Sequence, residues 1–161
     1  MTRRRECAAH ACDDCSIWDL CPDYEDSATR TVAKPGNTRL VVYIAGPISD
    51  QDFVAGLQNL ARFFHAETTL IKHGFSPINP AADLIAALHA GDFTYRDYLG
   101  KDEPLVKRSD ALLLLPGWSE SMGATAEVSW ALQADVPCFT SMSDLEEYRE
   151  SLTAAGDVSR S

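Results

Sequence analysis

The chain has 161 residues, of which 45% are hydrophobic, and a formal net charge of −10. This length suffices for one globular domain with a hydrophobic core of its own. The excess of acidic residues argues against a nucleic-acid polymer as partner, because such binding depends on lysines and arginines that neutralise phosphates. No apolar run approaches the length of a membrane span, and no apolar signal core follows the basic start. We therefore expect a cytoplasmic protein with no membrane partner.

The first 38 residues differ in composition from the rest. They contain four of the five cysteines and end near the stretch AKPGN, which is typical of a linker. These four cysteines are Cys7, Cys12, Cys15 and Cys21. The Cys12–Cys15 spacing fits a zinc site, the first three cysteines fit an iron–sulfur loop, and a tail without metal is the alternative. We divide the chain into a Cys-rich extension at 1–38, a domain at 39–154 and a frayed end at 155–161.

From Arg39 onward, apolar runs alternate with amphipathic stretches. Strands are predicted at Leu40–Ala45, 74–80, 110–116 and 136–140, and helices after the first strand, at 81–89, 95–108 and 122–134, and from Ser143. The residues expected to form the buried face of the first helix are Phe53, Leu57, Leu60 and Phe64. Alternating strands and helices imply parallel strands. We predict an α/β fold, a single Rossmann-like or flavodoxin-like three-layer domain with a parallel sheet of about four or five strands.

The first predicted strand ends abruptly at Gly46 and Pro47, in the stretch VVYIAGPISD. A strand that stops at a glycine can expose backbone N–H groups at its carboxyl end, where open α/β sheets bind ligands. An ordinary turn without a ligand is the alternative. The stretch therefore indicates a site only if a second part of the chain supports it.

The stretch LLLLPGWSESMGATAEVSWA supplies that second part. A buried strand ends at 116–117, a polar loop follows, and a helix begins at a capping residue such as Ser119 or Ser121. Its free N–H groups and the helix dipole suit an anion, and Gly123 would let the backbone approach a ligand. Glu127 lies one turn further into the helix. An acid near a helix N-terminus is also favourable without any function.

Three stretches, VYIAGP, DYLGKDEPLVKRSDALLLLPGW and SMGATAEVSWA, together resemble the nucleoside 2-deoxyribosyltransferase superfamily. The resemblance is greatest to its small bacterial and phage branch, and the chain is similar in plan to the deoxynucleoside 5'-monophosphate N-glycosidases. The resemblance covers roughly residues 40–139. The resemblance implies that Glu127 is the nucleophile, that Asp102 assists the departing base and that Tyr43 orients the glutamate. It also implies a homodimer or larger homo-oligomer.

The chemistry of N-glycosidic cleavage explains these residue types. Positive charge develops on the sugar C1' as the bond breaks, so a carboxylate such as Glu127 can attack or stabilise that carbon. The base leaves more easily when it is protonated, which suits Asp102. No cofactor or metal is expected for this reaction. Without the resemblance, Asp102 would be interpreted as a solvated charge and Tyr43 as a core aromatic.

The substrate is expected to be a small-molecule nucleotide or nucleoside. Ser121 lies six positions before the expected nucleophile. The monophosphate hydrolases resemble this chain in having serine at that position, whereas the transferases commonly have an acidic residue there. A serine with helix N–H groups suits a 5'-phosphate. Pro47 stands where the hydrolases have serine, with Ser49 two residues on, so a nucleoside transferase stays as an alternative. A non-catalytic nucleotide binder is a second alternative, which applies if the carboxylates are misplaced. Residues that could contact the base, or simply pack, are Phe53, Asn79 and Trp118.

Overall fold

The computed structural model describes residues 39–84 and 94–158, which lie in the unit Thr38–Ser161. The strands are β1 (Val41–Ala45), β2 (Ser76–Ile78), β3 (Ala111–Leu114) and β4 (Cys138–Phe139). The helices are α1 (Phe53–Lys72), α2 (Tyr95–Val106), α3 (Met122–Gln133) and α4 (Met142–Val158), with 3-10 turns at Pro80–Ala82 and Trp118–Glu120. Helix α4 therefore continues past the predicted domain end at 154.

The strands form one parallel sheet in the order β2-β1-β3-β4. This confirms the predicted α/β fold, with four strands in the described part of the chain. In the centre of the sheet, Tyr43 of β1 pairs with Leu112 of β3, and Ala45 pairs with Leu114. The direction in which successive strands are added to the sheet reverses between β1 and β3, because β2 lies on one side of β1 while β3 and β4 lie on the other. Open parallel sheets bind ligands at such a reversal, beyond the carboxyl ends of the strands.

The residues of β1 alternate between two hydrophobic clusters, one on each face of the sheet. Val42 and Ile44 pack in a cluster with residues of α1 and α4. Tyr43 and Ala45 pack in a second cluster with residues of α2 and α3. This alternation follows from the period of two in a strand. The helices therefore cover both faces, and the side chains of β1 that point towards α2 and α3 are those available to the candidate site.

The buried face of α1 differs from the predicted one. Its buried residues are Asn59, Phe63, Ala66 and Leu70. Of the residues expected there, Phe53, Leu57 and Phe64 are 77%, 50% and 40% exposed, and Leu60 is partly buried. The prediction of this face was wrong because α1 carries two apolar stripes about a third of a turn apart, and the sheet packs against the other one.

Several predictions fall outside the described residues. Most of the helix predicted at 81–89 lies outside the described residues. At the start of this segment the structure has a 3-10 turn, Pro80–Ala82. The four cysteines of the extension, for which zinc, an iron–sulfur cluster and a tail without metal are the alternatives, also lie outside the described residues. Within 39–84 and 94–158, no group of three or more His, Cys, Asp or Glu residues could hold a metal ion. None of the helices described is long and apolar enough to cross a membrane.

Candidate active site

The ends of β1 and β3 meet at the carboxyl edge of the sheet. The N–H of Leu115 donates to the carbonyl oxygen of Ala45 at 2.8 Å. A Cβ on Gly46 would lie 2.9 Å from the Cβ of Leu115, so this close approach requires glycine. Gly117 has φ +85°, and its Cβ position is 3.5 Å from Cγ of Pro47. The two turns that the sequence singled out therefore lie against each other.

Beneath this edge, the hydroxyl of Tyr43 donates a hydrogen bond to Oε1 of Glu127 at 2.9 Å. Tyr43 is fully buried, and Glu127 is only 6% exposed. Glu127 shares the buried face of α3 with Ala124 and Ala131. These small side chains let α3 lie close to the sheet, so the carboxylate of Glu127 reaches the middle of β1. The hydrogen bond fixes the orientation of that carboxylate.

A second carboxyl group, that of Asp102, is supplied by α2 and is also 6% exposed. Its electrostatic influence reaches both Tyr43 and Glu127, so the three residues form one cluster. Oδ1 of Asp102 has no hydrogen-bond partner within the part of the chain that the structure describes. A buried carboxyl oxygen without a partner is costly. Such an atom is typical of a site whose hydrogen bonds are completed by a ligand.

Burial controls the protonation of this cluster. The pKa of Glu127 is raised to about 8 in total, because burial, the largest cause, outweighs the Tyr43 hydrogen bond that lowers this pKa, and the negative charge of Asp102 adds to the rise. Burial also raises the pKa of Asp102. The pKa of Tyr43 is raised by burial first and then by the two nearby carboxylates, so its hydroxyl keeps its proton. Each carboxyl group thus holds a proton to higher pH than it would in water.

Sequence analysis missed one polar pair beside Asp102. Lys101 on α2 forms an ion pair with Asp83, and both side chains are partly exposed. The positive charge of Lys101 lowers the pKa of Asp102, whereas the negative charge of Asp83 raises it. The signal in the sequence was the direct adjacency of Lys101 and Asp102. The partner Asp83, which is 18 positions away, could be found only from the fold.

The start of α3 borders the same edge. Ser121 caps the helix, and its Oγ accepts a hydrogen bond from the N–H of Ala124 at 3.3 Å. The partly buried Gly123 lies in the first turn of α3. Trp118, in the 3-10 turn that precedes this helix, packs against the cluster that contains Tyr43. The structure therefore places Trp118 and Ser121 on the Tyr43 side of the sheet.

The remaining predicted site residues lie outside this cluster. Asn79 uses its amide within the protein, accepting from the N–H of Ala81 at 3.0 Å and donating to Glu67 of α1 at 2.8 Å. Ser49 is exposed in the loop after β1. Phe53 opens α1, a helix on the opposite face of the sheet from Tyr43. Contact of Asn79 and Phe53 with a base, and of Ser49 with the substrate, stays a prediction.

The fold and the cluster define a class of protein, a parallel α/β domain with a buried tyrosine and two buried carboxyl groups at the carboxyl edge of its central strands. The chain belongs to the DUF4406 family, described as a domain of unknown function, whose model matches residues 40–139. The matched region includes Tyr43, Asp102 and Glu127. No curated protein matches the chain.

Proposed function

We propose that this domain is an N-glycosidase that releases the base from a deoxynucleoside 5'-monophosphate, with Glu127 as nucleophile. The proposal assigns the chain to the nucleoside 2-deoxyribosyltransferase superfamily that its motifs resemble. The observation that carries it is the buried carboxylate of Glu127, held by the Tyr43 hydroxyl at 2.9 Å beside the buried carboxyl group of Asp102. Two buried carboxyl groups with raised pKa values at one strand edge are typical of a site for acid and nucleophilic catalysis.

In the proposed first step, an ionised Glu127 oxygen forms a bond to the sugar C1' as the bond from C1' to the base nitrogen breaks. The electron pair of that bond goes to the base, which takes a proton from the acid form of Asp102. Burial raises the pKa of Asp102 above that of a free aspartate, which favours the acid form that this role needs. Water then hydrolyses the ester on Glu127 and releases the sugar phosphate, with Asp102 accepting the proton of the water.

The start of α3 supports a phosphate as part of the substrate. Ser121 accepts a hydrogen bond from the helix backbone, which leaves its hydroxyl hydrogen for a ligand. The N–H groups of Met122 and Gly123 precede the first hydrogen-bonded turn, where helices favour anions. The site can therefore hold a small phosphate although the whole chain carries a charge of −10.

The loop after β1 favours a second candidate function, base exchange between nucleosides without a phosphate. This loop has Pro47 where the hydrolases have serine, and it carries two exposed aspartates, Asp50 and Asp52. Oδ1 of Asp50 accepts from the N–H of Asp52, and Asp52 caps α1. These carboxylates disfavour an anion and suit a sugar hydroxyl.

One experiment separates these functions. The purified full chain is incubated with each deoxynucleoside and each 5'-monophosphate, and free base is measured by chromatography with and without an added acceptor base. Base released from monophosphates without an acceptor supports the hydrolase. Product formed only from nucleosides and only with an acceptor supports the transferase. Binding of nucleotides without any base release would leave a non-catalytic binding protein and overturn both.

A further inference from the structure

A lysine and an aspartate form an ion pair beside the buried acid of the candidate site. Nζ of Lys101 on α2 donates to Oδ2 of Asp83, which follows the 3-10 turn at Pro80–Ala82. The side chains of Lys101 and Asp83 are 45% and 23% exposed. Asp102, the residue after Lys101, is only 6% exposed, and its Oδ1 has no hydrogen-bond partner in the described ranges. A long cationic side chain is therefore the neighbour of a carboxyl group with an unused acceptor.

Lys101 has other acids near it in the chain. Asp97 lies one helical turn before it, at a spacing that suits an ion pair. Asp97 is engaged elsewhere, because its Oδ2 accepts from both the N–H and the hydroxyl of Thr94 at the start of α2. The Oδ1 of Asp102 would gain a charge-assisted hydrogen bond from Lys101, and such bonds are stronger than neutral ones. Lys101 nevertheless pairs with Asp83.

The segment after β2 explains how Asp83 is placed for this pairing. Pro80 and Ala81 of the 3-10 turn are buried. The side chain of Asn79 accepts from the N–H of Ala81 at 3.0 Å, and it donates to Glu67 of α1 at 2.8 Å. Proline further restricts the backbone of the turn. These contacts fix the backbone that carries Asp83, so its carboxylate is a stationary partner for the lysine.

We propose that Asp83 is a positioning residue for the candidate active site, which holds the ammonium group of Lys101 away from Asp102 and thereby preserves the acid form of Asp102. An ammonium group bonded to Oδ1 of Asp102 would stabilise the ionised carboxylate and favour loss of the proton. The inference rests on the proposed function only in the use that it gives to this proton, which is protonation of the departing base. The protonation itself can be measured without any turnover.

The charges around Asp102 agree with this role. Burial is the largest cause of its raised pKa, and the charge of Lys101 is the next largest influence and lowers that pKa. The charge of Asp83 raises the pKa, and the Tyr43 hydroxyl lowers it. Glu127 on α3 also interacts electrostatically with Asp102. Among these groups, all in the described part of the chain, Lys101 is the one cation, so its position has a strong effect on the proton of Asp102.

A carbon-13 NMR titration of the aspartate carboxyl groups in the full chain measures this protonation, with the Asp102 signal assigned from Asp102→Asn. Asp83→Asn keeps the shape of the side chain and frees Lys101, so the pKa of Asp102 should fall. Lys101→Gln should raise that pKa, because the cation is removed. Glu103→Gln is the matched control, since Glu103 forms a comparably exposed ion pair with Lys107 on the same helix. It should leave the pKa of Asp102 unchanged.

A double variant separates the holding of Lys101 from the direct effect of the Asp83 charge. If Asp83 acts through Lys101, Asp83→Asn should lower the pKa of Asp102 more in wild type than in the Lys101→Gln background, where no ammonium group remains to be released. Equal effects in the two backgrounds would overturn the proposal. It would also be overturned if Asp83→Asn raised the pKa of Asp102 or left it unchanged.

Base release adds the functional readout. At neutral pH, Asp83→Asn should lower the rate severalfold for a monophosphate with a poor leaving group, in proportion to the measured loss of the acid form. A substrate whose base leaves easily should be affected little. A shifted pKa with an unchanged rate for the poor leaving group would overturn the role of Asp83 in the reaction. Wild type that releases no base would contradict the proposed function, and the titration would still decide whether Asp83 controls the protonation of Asp102.

Discussion

The hydroxyl of Tyr43 lies 2.9 Å from Oε1 of Glu127, although the two residues are 84 positions apart in the sequence. The bond joins the central strand β1 to the buried face of α3. It lowers the pKa of Glu127, but burial has the larger effect, and the net result is a pKa raised to about 8. A reaction that needs the ionised carboxylate should therefore become faster as the pH rises towards 8.

Tyr43→Phe tests this relationship because it removes the hydroxyl and keeps the ring. The pKa of Glu127 should rise when the donor is lost, so the ascending limb of kcat/KM against pH should move to higher pH. At neutral pH we expect a loss of about tenfold or more, since a hydrogen bond to a charged group contributes about 1.5–3 kcal/mol. Tyr148→Phe on α4 is the control and should leave the limb in place. An unshifted limb in Tyr43→Phe would argue against this role.

Much of the fold was predictable because its strands are marked by continuous apolar runs. The observed β1 and β3 lie within the predicted segments, and both are buried almost throughout. The buried face of α1 was not predictable from periodicity, since both of its stripes are apolar at helical spacing. The choice between the stripes depends on the shape of the sheet and of α4, which no local pattern contains.

The candidate site was predictable only in part. Residue types alone leave Asp102 as a solvated charge, and only the resemblance of the motifs singled it out. The need for glycine at Gly46 comes from Leu115, whose Cβ would lie 2.9 Å from a Cβ on Gly46. The ion pair of Lys101 and Asp83 likewise depends on how two distant segments pack. These contacts depend on strand register and helix packing, which cannot be predicted from a local sequence pattern.

Asp102→Asn tests the proton donor. The amide cannot deliver a proton to the base, so turnover should fall most for substrates with poor leaving groups and least for those whose base leaves easily as an anion. The measurement is kcat for a series of monophosphates whose bases differ in pKa. A loss of the same size across the whole series would exclude Asp102 as the acid.

Ser121→Asp tests the phosphate site without removing the helix cap, because aspartate is also a good N-cap residue. The added negative charge should lower kcat/KM for a monophosphate by about two powers of ten, a few kcal/mol of like-charge repulsion. The parent nucleoside should lose little, since the new carboxylate can accept a hydrogen bond from the free 5'-hydroxyl.

Ser121→Asn serves as the neutral control for this substitution, since it also caps the helix and should spare both substrates. The readout is the ratio of kcat/KM for monophosphate to that for nucleoside in all three proteins. If the ratio in Ser121→Asp equals that of wild type, the phosphate binds elsewhere, and base exchange between nucleosides becomes the better proposal.

The N-terminal cysteines give a prediction that is separate from catalysis. If Cys7, Cys12, Cys15 and Cys21 bind zinc or an iron–sulfur cluster, the purified full chain should contain metal in near-stoichiometric amount. The double substitution of Cys12 and Cys15 by serine should remove it, and base release should persist because no metal is needed for that chemistry. Elemental analysis before any exposure to chelator makes the measurement. Metal-free protein from metal-replete cells would contradict the metal site.

The central claim is that the carboxylate of Glu127 attacks the sugar, and Glu127→Gln tests it most directly. The substitution keeps the shape of the side chain and should preserve the fold and ligand binding, but the neutral amide can neither attack C1' nor stabilise its charge. Glu120→Gln, at an exposed acid in the loop before α3, is the matched control.

The measurement is the rate of free base release from deoxynucleoside 5'-monophosphates by wild type and by both variants. We predict that Glu127→Gln loses several powers of ten in kcat while Glu120→Gln retains the wild-type rate. Release of base by Glu127→Gln at close to the wild-type rate would contradict the proposed mechanism.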